Sequence, residues 1–477
     1  MIRRGMVAVA AFTLLTLPVS ARAATYFVDA SRGDDANSGA TAAEAWKTLA
    51  KANKAVAPGD TVTVRQGVYT ASVIAPVVSG TADARITYAA YEGELPEVTG
   101  GESGSIVNLR DKSYVTVQGF KIHSPTEHDW TVNLSGAACT NNRIVNCDVS
   151  DPEGYVCIAI AEGASYNEVV DCTVHDTGHA DEQSGDCIVM NSGAHHNTIA
   201  RNKCYNGCHS QIMALKGSHS NIIIDNECYS TDPEWAGAGI NLPLGADNTV
   251  VYGNRIHDLG FITDQKCAIQ IDSARNSIHH NMIYNVGAFG ISPQSYEFRG
   301  TAQSSEGNVI ANNTIYRTGR QGLFFVSKGE SFSKANRILN NIIVAGDSTW
   351  YDKSARIMVF DTYHLAKPVT PGAWFDNVFK NNVFFHKSAG EPDMVLYSCK
   401  TGTKSWSMSE LEKEFPGTFA GNLEADPRFV DAARGVFVLE RESPALGAGM
   451  DAGLPFEGKA PDIGAAGNRP RDVNEGR

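Results

Sequence analysis

His209 and Lys266 are the first residues to weigh, because each stands three positions before an isoleucine, Ile212 and Ile269, that holds the same place in a repeated phrase. An imidazole takes protons near neutral pH and an ammonium steadies negative charge. On one face, they would make a base-and-stabiliser pair; side chains on a bare surface are the competing reading. Tyr296 and Arg299, in YEFRGTAQSSEG, add an acid and a fork-shaped carboxylate clamp. Lys216 is a weaker candidate base. His179, Asp181, Glu182 and Asp186 fall within one short insertion. Their oxygens suit calcium, and a solvated acidic turn is the alternative.

These side chains can meet only if distant segments stack, and a repeat supplies the stacking. The phrase reads NRIVNCDV from Asn142, NEVVDCTV from Asn167, NTIARNKC from Asn197 and NIIIDNEC from Asn221. It returns from Thr249, Asn276, Asn308, Asn336 and Asn377, at spacings of 25, 30, 24, 28, 27, 32, 28 and 41 residues. Each copy alternates apolar and polar residues, a strand pattern, and no helical period appears. One such strand cannot bury its apolar face, so the coils must lie on one another, about 4.8 Å apart. The sixth position reads Cys147, Cys172, Asn202, Asn226, Asn254, Asn281, Asn313, Asn341 and Asn382, and these should form a ladder at a corner. The fold class is therefore all-β, a right-handed parallel β-helix.

A second strand per coil has Ile158, Ile188, Ile212, Ile240, Ile269 and Ile291 pointing inward. Its outward residues then include Gln211, Asn241, Gln270, Asp272, Ser292 and Gln294, a polar stripe suited to an extended ligand. Insertions at 176–186, 230–238, 258–267 and 295–307 should wall that stripe. Cys204 and Cys228 fall in an inward column and read as core, while Cys157 and Cys187 read as outward and are the better disulfide candidates. His175, His195, His196, His219 and His257 read as structural, without a zinc spacing.

Arg3 and Arg4, the apolar run Val7–Leu17 and Ala21-Arg22-Ala23 form an export signal over 1–23. The expected organisation continues as an N-terminal cap and first coils over 24–100, the β-helix over 101–390 and a capping segment with tail over 391–477. AAEAWKTLAKANKAV shows helical spacing, with Trp46, Leu49, Ala52 and Val56 on one face, and SWSMSELEKEF reads as a short helix. The charge of -13 becomes -13 - 3 = -16 without the three leader arginines. That excludes nucleic acid as a natural partner and weighs mildly against an acidic ligand. A secreted or periplasmic monomer without a membrane span is expected.

The opening YFVDASRGDDANSG…AWKTLAKANKAVAPGDTVTVRQGVY and the closing ADPRFVDAARGVFVLERESPALGAG…APDIGA resemble secreted right-handed β-helix proteins of the pectate-lyase superfamily, polysaccharide lyase family 9 especially. That resemblance implies a catalytic Lys in a strand after an Asp-Gly pair, with an Asp cluster on calcium. Here Asp186 fits the phrase HADEQSGDCIVMNSG loosely, and Met190 stands where the Lys belongs. The expected activity is β-elimination on an acidic polysaccharide. His209, Lys266, Tyr296 and Arg299 would be catalytic. Gln211, Trp235, Asn241, Gln270 and Gln294 would bind the sugar chain, and Asp181, Glu182 and Asp186 would hold calcium. The alternatives are a glycoside hydrolase using Asp186 or Asp272 with Glu234, an epimerase, and a glycan-binding protein without catalysis.

Overall fold

The computed structural model describes residues 23–100, 104–123, 130–151, 153–178, 185–232, 237–243, 245–260, 266–298, 300–345, 357–387, 395–456 and 458–465. The export signal and the end of the tail lie outside them. The chain winds as a right-handed parallel β-helix whose described strands form three long sheets of 14, 13 and 13 members. The repeated phrase supplies the first two sheets, as in Arg143–Val145 and Asp148–Asp151. The third carries the isoleucine strands, among them Val156–Ala161, Asp186–Met190, Ser210–Ala214, Ala238–Leu242, Cys267–Ile271 and Phe289–Phe298. Ile158, Ile188, Ile212, Ile240, Ile269 and Ile291 stand in register and are fully buried.

The sixth-position residues form the expected ladder, which runs on to Asn422. Asn281 shows the pattern. Its Nδ2 donates to Asn313 Oδ1 at 2.9 Å and to Val251 O at 3.0 Å, while its Oδ1 accepts from Asn254 N at 3.0 Å. A second ladder, which the sequence reading overlooked, is built by the leading Asn of the phrase. Asn142, Asn167 and Asn197 bond in series at 3.0 and 3.1 Å, and Asn308, Asn336 and Asn377 at 2.9 Å. Both ladders answer one local problem. The residue before each rung, such as Arg201 at φ 55° or His280 at φ 55°, is left-handed. An L-residue there costs about 1–2 kcal/mol, and the Asn side chain satisfies the backbone groups that the bend turns away from the sheets.

The ends differ from the sequence expectation in detail. The predicted helix over 42–56 is divided. A short 3-10 turn covers Ala42–Glu44, Trp46 bridges Val28 in an extended stretch, and the α-helix covers only Leu49–Ala55. Thr48 starts it by accepting from Lys51 N at 3.1 Å. The apolar face is nevertheless as read, with Trp46, Leu49, Ala52 and Val56 all buried. The second helix is Met408–Glu414, opened by a Ser407–Glu410 capping box.

Candidate functional site

Two of the three corners of each coil are fixed by asparagine ladders. The third, where the second sheet passes into the isoleucine sheet, has none among the described residues, and there the insertions at 176–186, 230–238 and 258–267 emerge. The insertion at 295–307 instead leaves the other edge of the isoleucine sheet, ahead of Val309–Ala311, so the four do not share one edge as expected. At the third corner the strict alternation breaks. Cys157 and Ile158 both face the core, and so do Cys187 and Ile188. This corrects the outward placement of Cys157 and Cys187: all ten cysteines are buried and free.

Gln211 stands in that same inward column and is fully buried, so it is not the sugar-binding residue expected. Its Oε1 accepts from Gly207 N at 3.0 Å and its Nε2 donates to Gly207 O at 3.2 Å. It closes a turn, because the corner places two successive residues inward and reverses the parity inferred from Ile212.

The residue two places before that column faces out. Backbone bonds link Tyr155, Gly185, His209 and Gly237 there in succession, with Lys266 next in register. His209 Nδ1 lies 3.0 Å from Asp186 Oδ1, and the imidazole is 38% exposed against 11% for the carboxylate. Lys266 is two coils further on. Its Nζ reaches back over Gly237 to His209 O at 3.3 Å. Position 237 admits only glycine, since a Cβ there would stand 2.9 Å from Gln211 Nε2 and only 1.9 Å from Gly207 O. Burial holds the Lys266 ammonium below the usual lysine range, and the Asp186 carboxylate opposes that shift. The shared face inferred for His209 and Lys266 is present.

Further along the same strand lies a second cluster, around Asp272. Its Oδ2 accepts from Gln270 Nε2 at 2.7 Å and from Tyr296 Oη at 3.1 Å. Its Oδ1 has no hydrogen-bond partner among the described residues. Asp272 is 1% exposed, and burial pushes its carboxyl up to about 7. Tyr296 is raised well above its ordinary value by burial and by that carboxylate. Gln294 Nε2 donates to Ser292 Oγ at 3.0 Å and approaches Cys267 Sγ at 3.8 Å. The two clusters stand at opposite ends of the strand Cys267–Ile271. Asn241 lies beside Gln270 in register, 8% exposed, its Oδ1 unpartnered among the described residues.

Arg299, Trp235, Glu234, His179, Asp181 and Glu182 lie outside the described residues. Asp186, the described member of the acidic insertion, spends one oxygen on His209. Among the described residues no group of three or more His, Cys, Asp or Glu is placed to hold a metal ion. Lys216 is exposed in the turn after Ser210–Ala214, at φ 51°. The remaining histidines stack on one another and on tyrosines. His175 and Tyr205 rings are 4.8 Å apart, as are His195 and His219 at 5.2 Å. Asp148 and Asp176 raise His175 to about 9 against the effect of its burial. The Asp272–Tyr296 pairing escaped sequence reading, although Asp272 was already in the outward stripe. Only the register shows that the long strand Phe289–Phe298 brings Tyr296 over it.

Two family descriptions match parts of the chain: "Pel9A-like, right handed beta helix region" over residues 26–214, and "Periplasmic copper-binding protein (NosD)" over residues 133–370. A protein of Bacillus subtilis (strain 168), YwoF, whose function is uncharacterized, is 24% identical, covering 88% of this chain and 92% of its own. The GH136 lacto-N-biosidase of Eubacterium ramulus is similar in structure, with a TM-score of 0.51 and 16% identity over 72% of this chain and 67% of that one. A variant of the PL6 family alginate lyase AlyGC superposes at 0.50 with 15% identity, covering 82% and 54% of the two chains. No described helix is long and apolar enough to cross a membrane. The three stacked sheets make this chain a right-handed parallel β-helix, and over residues 26–214 it is similar to the Pel9A-like right-handed β-helix region.

Proposed function

We propose that the chain is an exported polysaccharide lyase that cleaves an acidic glycan by β-elimination along the strip from Asp186 to Tyr296. The observation that carries the reading is the His209–Asp186 pair with Lys266 laid across Gly237 beside it. With Nδ1–H given to Asp186, the His209 Nε2 lone pair faces outward as a base. It takes the proton from the carbon next to the uronate carboxylate. Negative charge moves onto that carboxylate, where the Lys266 ammonium steadies it. The bond from the adjacent carbon to the glycosidic oxygen breaks and a carbon–carbon double bond forms. The leaving oxygen takes a proton from solvent water, since Asp272 is buried and stands two coils and a full strand width from His209. Residue Arg299 remains a candidate carboxylate clamp and Trp235 a candidate stacking residue. The names of the PL6 alginate lyase and of the Pel9A description support this substrate class.

The hydrolase alternative pairs Asp186 or Asp272 with Glu234, which lies outside the described residues; Asp186 and Asp272 are too far apart to serve as a pair with each other. The two strands are three coils apart, about 14 Å along the rod, whereas paired glycosidase carboxylates stand about 5–9.5 Å apart. Calcium enters this reading only through Asp181 and Glu182 beside Asp186. The test is to incubate purified protein with pectate, alginate, glycosaminoglycans and ulvan, with and without chelator, following ultraviolet absorbance of the new double bond. His209→Gln and Lys266→Met should each abolish the absorbance rise. New reducing ends without absorbance would indicate a hydrolase, and binding without either product a glycan-binding protein; each result sinks the lyase. Loss of product on chelation would assign the metal role.

A further inference from the structure

Two coils N-terminal to His209, the same outward column carries Tyr155. Asp186 N donates to Tyr155 O at 2.9 Å and His209 N to Gly185 O at 2.8 Å, which fixes the succession. At about 4.8 Å per coil, Tyr155 lies about 10 Å along the rod from His209. Beside it is a cavity of about 350 Å³ lined by Gly104, Ser105, Trp130, Asn133 and Tyr155.

Three features of this cavity are unspent by the fold. Tyr155 is 42% exposed, an aromatic ring in contact with solvent at a corner where the next coil carries Gly185. Trp130 is half-buried, packed against a small outer apolar cluster of Val156, Ala159, Val189 and Met213, which gives it a firm backing. Asn133 is only 8% exposed, yet its Oδ1 has no hydrogen-bond partner among the described residues. A buried amide left unpaired is costly unless something outside the fold completes it. Two aromatic rings and an unpaired amide around one cavity match the two sides of a pyranose, its apolar C–H face and its hydroxyl edge.

We propose that Trp130, Tyr155 and Asn133 form a subsite for a pyranose ring of the same glycan chain that His209 engages. Among the described residues no cationic side chain lines the cavity, and the groups present suit a sugar ring and its hydroxyls. The inference rests on the glycan reading above, but it requires binding alone. Its consequence is a length preference: a short oligosaccharide seated at His209 cannot reach Tyr155, and a long one can.

The test is isothermal titration of the full chain carrying His209→Gln, which prevents turnover, with two-sugar and six-sugar oligomers of galacturonate and of alginate. Tyr155→Ala and Trp130→Ala should each weaken six-sugar binding at least about tenfold, as loss of an aromatic anchor does, and leave two-sugar binding unchanged. Asn133→Ala should act in the same direction. If Trp130→Ala fails to fold, the exposed Tyr155 carries the test. Unchanged six-sugar affinity in Tyr155→Ala, equal losses at both lengths, or no binding of any oligomer overturns the subsite. Tyr155-dependent binding without any double-bond product in the parent protein would sink the lyase and keep the subsite. Product formation with Tyr155-independent binding would do the reverse.

Discussion

Replacing Asp272 by Asn should stabilise the protein, and only above a definable pH. Burial raises this carboxyl from 3.8 to about 7. In the unfolded chain it ionises near 4. Below pH 4 both states hold the proton and nothing is lost. Between pH 4 and 7 the unfolded chain sheds the proton while the folded chain keeps it, so stability falls as pH rises, levelling off above 7. The gap from 3.8 to about 7 corresponds to about 4 kcal/mol at 1.36 kcal/mol per pH unit. Asn preserves the local bonds: its Oδ1 can still accept from Gln270 Nε2 and Tyr296 Oη, which now stand at 2.7 and 3.1 Å. For about 450 residues the unfolding entropy is about 1 kcal/mol/K, so about 4 kcal/mol raises the melting temperature by about 4 °C. The assay is calorimetry of parent and Asp272→Asn at pH 4, 6 and 8. Asp151 is raised to about 7 in the same way, so the parent alone carries two such losses, and the difference between the proteins isolates one. A melting-temperature gain that is the same at pH 4 and 8, or a loss at pH 8, would refute the reasoning.

Other perturbations test other parts of the structure. Asn281→Ala removes one rung and leaves Val251 O and Asn254 N without their partners, so it should cost about 2–4 kcal/mol, read as a fall in denaturant midpoint. Gly237→Ala drives a Cβ to within 1.9 Å of Gly207 O and 2.9 Å of Gln211 Nε2, so it should destabilise the corner, read as a lower melting temperature; unaltered melting would contradict the packing. Because all ten cysteines are free and buried, a thiol reagent should label none in the native protein and all ten on unfolding, without reductant. Affinity for an acidic oligosaccharide should decline as pH rises through about 7, where Asp272 gains its charge, and Asp272→Asn should flatten that decline in a titration series.

How far the sequence could be read depended on which residues repeat. The sixth-position asparagines and the inward isoleucines recur over six or more coils, and period and parity were enough to stack them correctly. The second ladder was in plain view as the leading Asn of each phrase, yet it was passed over because a turn residue that starts a strand looks like local punctuation. Gln211, Cys157 and Cys187 were misplaced for a different reason. Alternation holds within a strand but not across a bend, and each stands at the bend. His209 and Lys266 survived because they were aligned by distance from the isoleucines and not by alternation. The Asp272–Tyr296 contact joins consecutive coils through the length of one unusually long strand, which nothing local in the sequence announces.

The acidity of the chain was an objection to an acidic ligand, and the arrangement of charges weakens it. Several acids are paired with arginines on the first sheet and its corners, well away from the strip. Arg143 meets Glu168 at 2.8 Å, Arg201 meets Asp171 at 2.7 Å and Arg275 meets Asp247 at 2.7 Å. Such exposed pairs add little stability, but they place acids where a ligand on the strip is screened from them beyond about 8–10 Å. Among the described residues of the strip, Lys266 and His209 face Asp186, and burial raises the Asp272 carboxyl to about 7. Below that pH an acidic ligand meets no charge at Asp272, and above it the buried carboxylate repels one. Burial of Asp272 therefore costs the fold stability and, below that pH, removes the charge that would keep an acidic chain out.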